Sequence, residues 1–142
     1  MGERIRALYE DYAAEFQSLE QKRRAGAGMF GLTDGPRNYA CHERFAENLE
    51  HLLKEAEEAV PPEQAEEILE YVYLAHQARK ERQDAVYWML GAVHGKTTGL
   101  IPRLTPEAAG RLLACYEAAY PRREQLPVQK KVAAALKKRA KQ

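Results

Sequence analysis

Ile5, Leu8, Tyr9, Tyr12, Phe16 and Leu19 recur at three- and four-residue steps, and this period confines the opening of the chain to an amphipathic helix. Arg, Glu and Lys occupy the opposite face. The same spacing returns in Phe45, Leu49, Leu52, Leu53, Ala56 and Val60, and again in Ala65, Ile68, Leu69, Val72 and His76. No stretch alternates polar and apolar residues long enough to make a strand.

Proline and glycine punctuate these stripes. Pro61 and Pro62 break the chain between two helices, because neither can continue the helix before it, and Pro62 suits the first turn of the next. Thr105-Pro106-Glu107 places a capping hydroxyl, a proline at the first helical position and an acid at the positive dipole end. The sequence therefore predicts helices over about 3–24, 41–59, 62–79, 83–98, 105–120 and 127–140, with a long connection over 25–40. Lys22, Arg23 and Arg24 are expected in the last turn of the first helix, with Gly26 as its stop. The 83–98 segment is apolar nearly all round (AVYWMLGAV), which predicts a central, buried helix.

The expected fold is all-α, with about six helices in antiparallel hairpins and no β-sheet. It is a single helical domain over 1–142, either a compact helical bundle or a short HEAT-like stack. A shift of 44 residues sets VPPEQAEEIL (60–69) against LTPEAAGRLL (104–113), Phe45 against Met89 and Leu49 against Val93. That spacing lies in the range of two-helix repeats, while compact bundles with proline-started helices produce the same pattern by coincidence.

A chain of 142 residues can bury a core without a disulfide or metal staple. Its net charge of +1 exerts no global pull toward nucleic acid or membrane. The longest apolar run, Ala85 to Val93, is far short of the ~20 residues of a membrane helix. The opening MGERIRALYEDY lacks the apolar stretch of a signal peptide, and Arg6 stands where a myristoylation signal wants Ser or Thr. With only Cys41 and Cys115, a reducing cytoplasm is the expected location.

Several motifs imitate chemistry. Gly26, Gly28 and Gly31 have the spacing of a dinucleotide fingerprint, but they follow a helix where that motif needs a strand. Gly91 to Thr97 is one residue short of a phosphate-binding loop. His42-Glu43 begins a zinc-protease motif whose second histidine is replaced by Ala46. A metal or small-molecule site would have to gather His42, His76, His94, Cys41 or a carboxylate from different helices. Cys41 at a helix start is either an activated thiol or a small buried hydrophobe. No catalytic residue, resident metal or cofactor is assigned.

Two regions remain as candidate contact surfaces. The first is the 25–40 connection and its exit, where Phe30 and Tyr39 supply apolar grip and Asp34, Arg37, Asn38, Cys41 and His42 supply polar atoms. The second is the C-terminal stretch. From Pro121 onward Arg122, Arg123, Lys130, Lys131, Lys137, Lys138, Arg139 and Lys141 face a single acid, Glu124, whereas residues 1–60 carry eight bases and twelve acids.

The segments FGLTDGPRNYACHERF and YPRREQLPVQKKV resemble small all-helical bacterial proteins with no assigned activity. That resemblance implies a helical fold and brings no reaction, cofactor or substrate to any residue. The expected role is a non-enzymatic module binding a protein or peptide in a groove beside the 29–42 loop. Two alternatives stand beside it. One is a metal or small-molecule site using His42, Cys41 and His94. The other is nucleic-acid or acidic-partner binding by the basic end, including an acidic half of a neighbouring copy in a homo-oligomer. No membrane partner is expected.

Overall fold

The computed structural model describes residues 1–30, 39–78 and 89–142, except for the side chains of 26–30, 75–78 and 90. Among the described residues there are six α-helices and no strand. They are α1 (Gly2–Phe30), α2 (Ala40–Ala59), α3 (Pro62–Ala78), α4 (Leu90–Gly95), α5 (Pro106–Ala119) and α6 (Pro127–Ala140). Short 3-10 turns lie at Ile101–Arg103 and Arg122–Glu124.

The proline signals act as their chemistry requires. Pro62, Pro106 and Pro127 each open a helix, and Thr105 Oγ1 accepts from the Ala108 amide at 3.1 Å. A cap of this kind contributes about 1 kcal/mol. Gln129 Oε1 reaches back to the Leu126 amide at 2.8 Å and satisfies another donor at the start of α6.

The helices form layers. α1 packs on α2 and α3, which make one hairpin; α2 neighbours α4, and α3 neighbours α5. α6 covers α4 and α5 from the far side. The 44-residue offset reappears as a burial pattern. Leu49 and Val93, Leu53 and Thr97, Ala56 and Leu100, Val60 and Leu104 are all buried. So are Ala65 and Ala109, Ile68 and Leu112, and Val72 and Tyr116. The α2–α3 hairpin thus lies beside the α4–α5 segment, first helix to first and second to second. Lys96 to Glu50 at 3.1 Å and Arg111 to Glu66 at 3.0 Å bridge the two units on the surface.

Two boundaries differ from the sequence expectation. α1 runs through Gly26 and Gly28 to Phe30, so Lys22, Arg23 and Arg24 do not occupy its last turn. Glycine weakens a helix by about 1 kcal/mol but keeps its amide N–H, so it does not interrupt the hydrogen bonds as proline does. The rest of the connection expected over 25–40 lies outside the described residues up to 38.

The helix expected over 83–98 is described from Leu90 and ends at Gly95; residues 83–88 lie outside the description. Beyond it, Lys96 bonds to Val93 O, Thr97 to His94 O and Leu100 to Thr97 O, the tighter i→i−3 pattern. Thr97 Oγ1 also donates to the His94 carbonyl at 2.7 Å, which diverts that oxygen from a helical partner. Nor is α4 buried all round. Val93 and His94 are enclosed, while Ala92 is exposed. Alanine and glycine read as apolar in sequence yet have little surface to hide.

Gly95 of α4 instead lets α6 approach closely. A methyl at Gly91 would meet Val128 at 3.6 Å, an ordinary contact, whereas one at Gly95 would stand 3.0 Å from it. Val128 is β-branched and stiff at χ1. We expect Gly91→Ala to stabilise the fold by about 0.5–1 kcal/mol, through the entropy of the unfolded chain. Gly95→Ala should lose that gain to the clash. Thermal melts of the two variants check this, and a lower Tm for Gly91→Ala than for the parent would refute it.

Candidate functional site

Two histidines are withdrawn from solvent, each held by a tyrosine. His42, in the first turn of α2, accepts or donates through Nδ1 to the Tyr12 hydroxyl of α1 at 2.7 Å. Tyr12 stacks on Phe45 at 4.1 Å between ring centres, and Phe16 and Tyr39 complete the aromatic surround of the imidazole. Tyr39 in turn donates its hydroxyl to Glu20 Oε1 at 2.6 Å. Glu20 is gripped by Arg23 through two bonds of 3.0 Å, and this hydrogen bonding, with burial opposing it, holds the carboxyl below its usual range.

Cys41 beside this cluster is buried, and burial, then the charge of Glu15, pushes its thiol up. Arg44 and the amides of Cys41 and His42 pull the other way and lose. The helix start therefore does not make an activated thiol. Arg44 itself pairs with Glu15 across α1 and α2.

The second histidine joins three helices. His94 of α4 meets Tyr116 Oη of α5 through Nδ1 at 2.8 Å, and the rings of Tyr73, Tyr116 and Tyr120 stand 5.2 to 5.6 Å from it. Tyr73 of α3 shares a 2.5 Å hydrogen bond with Thr97, and Tyr120 donates to the Tyr73 carbonyl at 2.6 Å. All four rings are buried, and the three tyrosine hydroxyls and His94 Nδ1 are hydrogen-bonded within this aromatic core. The sequence offered His94 only as a possible metal or small-molecule ligand and did not single out Tyr73, Tyr116 or Tyr120. The four-residue spacing of Tyr116 on α5 and Tyr120 just past its end was the available signal.

Of the proposed loop residues, Asp34, Arg37 and Asn38 lie outside the described residues, as does the Phe30 side chain. Tyr39, Cys41 and His42 are engaged inward on α1 and α2. His42 and His94 stand in two clusters, the first against Tyr12, Phe16 and Tyr39 and the second against Tyr73, Tyr116 and Tyr120. Among the described residues no three His, Cys, Asp or Glu side chains are placed to hold a metal ion. The His76 side chain lies outside the description. Gly26 and Gly28 sit in α1, and Gly91 and Gly95 in α4, so neither glycine motif forms a phosphate-binding loop.

The basic end presents an open surface. α6 turns Val132 and Leu136 inward, with Gln129. Lys130, Lys131, Ala134, Lys137, Lys138 and Lys141 are exposed, as are Arg122 and Arg123. Arg139 is used differently: its Nε donates to the Leu104 carbonyl at 2.7 Å and ties α6 to the start of α5. Arg122 lies 4.0 Å from Glu117, but among the described residues Arg123, Lys130, Lys131, Lys137 and Lys138 have no ion-pair partner. A cleft of about 440 Å³ opens here, lined by Arg122, Lys130, Lys137, Ala133, Ala134 and Glu117, with Gln125 behind. Leu126, at the head of α6, is 45% exposed, the one large hydrophobic residue so exposed among those described.

The chain matches no family model, no curated protein and no solved structure. Among the described residues no helix is long and apolar enough to cross a membrane.

Burial raises the phenols of Tyr12, Tyr73, Tyr116 and Tyr120 above their ordinary value, with Tyr73 and Tyr120 adding to the rise at Tyr116. In the unfolded chain these groups ionise near pH 10 (about the free-tyrosine value). Their neutral state therefore contributes stability that is complete below about pH 10 and is lost as pH climbs toward the folded values. We expect some of the eight tyrosines to show tyrosinate absorbance only as helical circular dichroism is lost. Ionisation of all eight near pH 10 with the helices intact would contradict this.

Proposed function

We propose that this chain is a helical interaction module that binds an acidic protein segment across the outward face of α6. The observation that carries the reading is the set of exposed, unpaired cations of that helix around an apolar-floored cleft. Lysines kept exposed in this number raise the local potential and draw an acidic ligand. Ala133 and Ala134 give the floor no charge, and Leu126, exposed just before α6, adds an apolar anchor at the head of the helix. A ligand with carboxylates and a few apolar side chains fits this mixture better than a polyphosphate backbone. Aromatic rings, on which single-stranded bases stack, do not line the cleft. Both cysteines are free thiols, in keeping with a reducing cytoplasm. The His–Tyr clusters serve this role indirectly, by holding the helices that present the surface.

Binding of a fluorescein-labelled glutamate-rich peptide, followed by anisotropy at low ionic strength, tests the reading. Affinity should fall steeply with added salt, and Lys130→Ala with Lys137→Ala should weaken it tenfold or more. Lys22→Ala, on the far helix, should leave it unchanged. Tight binding of an oligonucleotide with none of the peptide would overturn the acidic-protein reading in favour of nucleic acid.

A further inference from the structure

The outward face of α3 has the opposite character. Glu63, Glu67 and Glu70 are all exposed, and among the described residues none of them is in an ion pair. They fall at i, i+4 and i+7, one stripe on the helix, and Leu74 continues it four residues on. A cleft of about 330 Å³ lies along this stripe, lined by Glu67, Glu70, Tyr71, Leu74 and Arg6. Arg6 sits over the Tyr71 ring at 5.4 Å from its centre. Among the residues that line this cleft, two carboxylates stand against the one cation.

Its spacing matches α6 read backwards. From Leu74 the stripe steps four residues to Glu70 and seven more to Glu63; from Leu126 it steps four to Lys130 and seven more to Lys137. Seven residues of helix rise about 10.5 Å, so the two charge pairs have the same separation. Laid antiparallel, Leu126 meets Leu74, Lys130 meets Glu70 and Lys137 meets Glu63. Glu67 then falls over Ala133 and Ala134, where Arg122 borders the same cleft. Glu117 lines the basic cleft and Arg6 the acidic one, so each cleft carries one charge of the wrong sign among its lining residues.

We infer that the partner of the α6 surface is a second copy of this chain, which docks the Glu63–Glu67–Glu70–Leu74 stripe of its α3 antiparallel on Leu126, Lys130 and Lys137. This rests on the acidic-partner reading above and names the partner. Within one molecule these two faces do not meet, because α5 and α6 stack outward from α3. Charge complementarity therefore acts between copies. Exposed pairs of this kind are screened, so association weakens as the screening length falls from ~8 Å at physiological salt to ~3 Å at 1 M.

Two charge-reversed proteins test the inference by sedimentation velocity over a range of concentrations. One carries Lys130→Glu and Lys137→Glu; the other carries Glu63→Lys and Glu70→Lys. All four positions are exposed, and circular dichroism checks that each variant is folded. The parent should associate at low salt and dissociate at high salt. Each variant alone should stay monomeric, and the equimolar mixture should associate again. A parent that is monomeric at every concentration while still binding the glutamate-rich peptide overturns the self-association and leaves the acidic-partner reading standing. A parent that binds neither itself nor the peptide overturns both. Self-association that persists in both variants overturns the antiparallel α3–α6 contact.

Discussion

His94, wholly out of solvent, fixes the place where α3, α4 and α5 meet. A buried imidazole costs free energy unless its polar atoms are engaged, and the Tyr116 hydroxyl engages one of them at 2.8 Å. The neighbouring hydroxyls of Tyr73 and Tyr120 are bound to Thr97 and to a backbone carbonyl, so the polar atoms sit inside an aromatic core. Such a joint is directional where aliphatic packing is not. It sets the depth of α4 against the two longer helices, and α6 rests on the result.

From that joint the layers follow in order. The α2–α3 hairpin and the α4–α5 segment lie side by side with buried residues in matching positions 44 apart. Each alone has an apolar face it cannot hide, and stacking hides it. α1 and α6 close the two ends. α1 does so with the His42–Tyr12 pair and the Arg44–Glu15 bridge to α2. α6 does so with Val132 and Leu136 below and a row of lysines above. Among the described residues no helix packs on the outward face of α6, and its lysines are left without an ion-pair partner.

Much of the fold was legible in the sequence because proline and periodicity act locally. The starts at Pro62, Pro106 and Pro127 follow from a ring that cannot donate, and the core faces of α1, α2 and α3 follow from three- and four-residue steps. The end of α1 was not legible. Glycine lowers helix stability without forbidding it, and its effect depends on what the rest of the helix gains by packing. α4 ends at Gly95 in i→i−3 turns where the Thr97 hydroxyl bonds the His94 carbonyl, a choice of rotamer that no spacing rule encodes.

The site divides the same way. An excess of cations after Pro121 was evident from composition alone, since charge is a property of residue type. Which of them are available is a property of the fold: Arg139 is spent on the Leu104 carbonyl, while Lys130 and Lys137 border an open cleft with Arg122. Tyr39, Cys41 and His42 looked equally available in the sequence, yet the contact of α1 with α2 turns them inward. The sequence by itself determined the all-helical class, most helix starts and the polarity of the two halves, because these depend on backbone chemistry and residue type over a few turns. Only the tertiary structure decided which polar side chains are buried and which face outward, because burial is set by neighbours brought from distant parts of the chain.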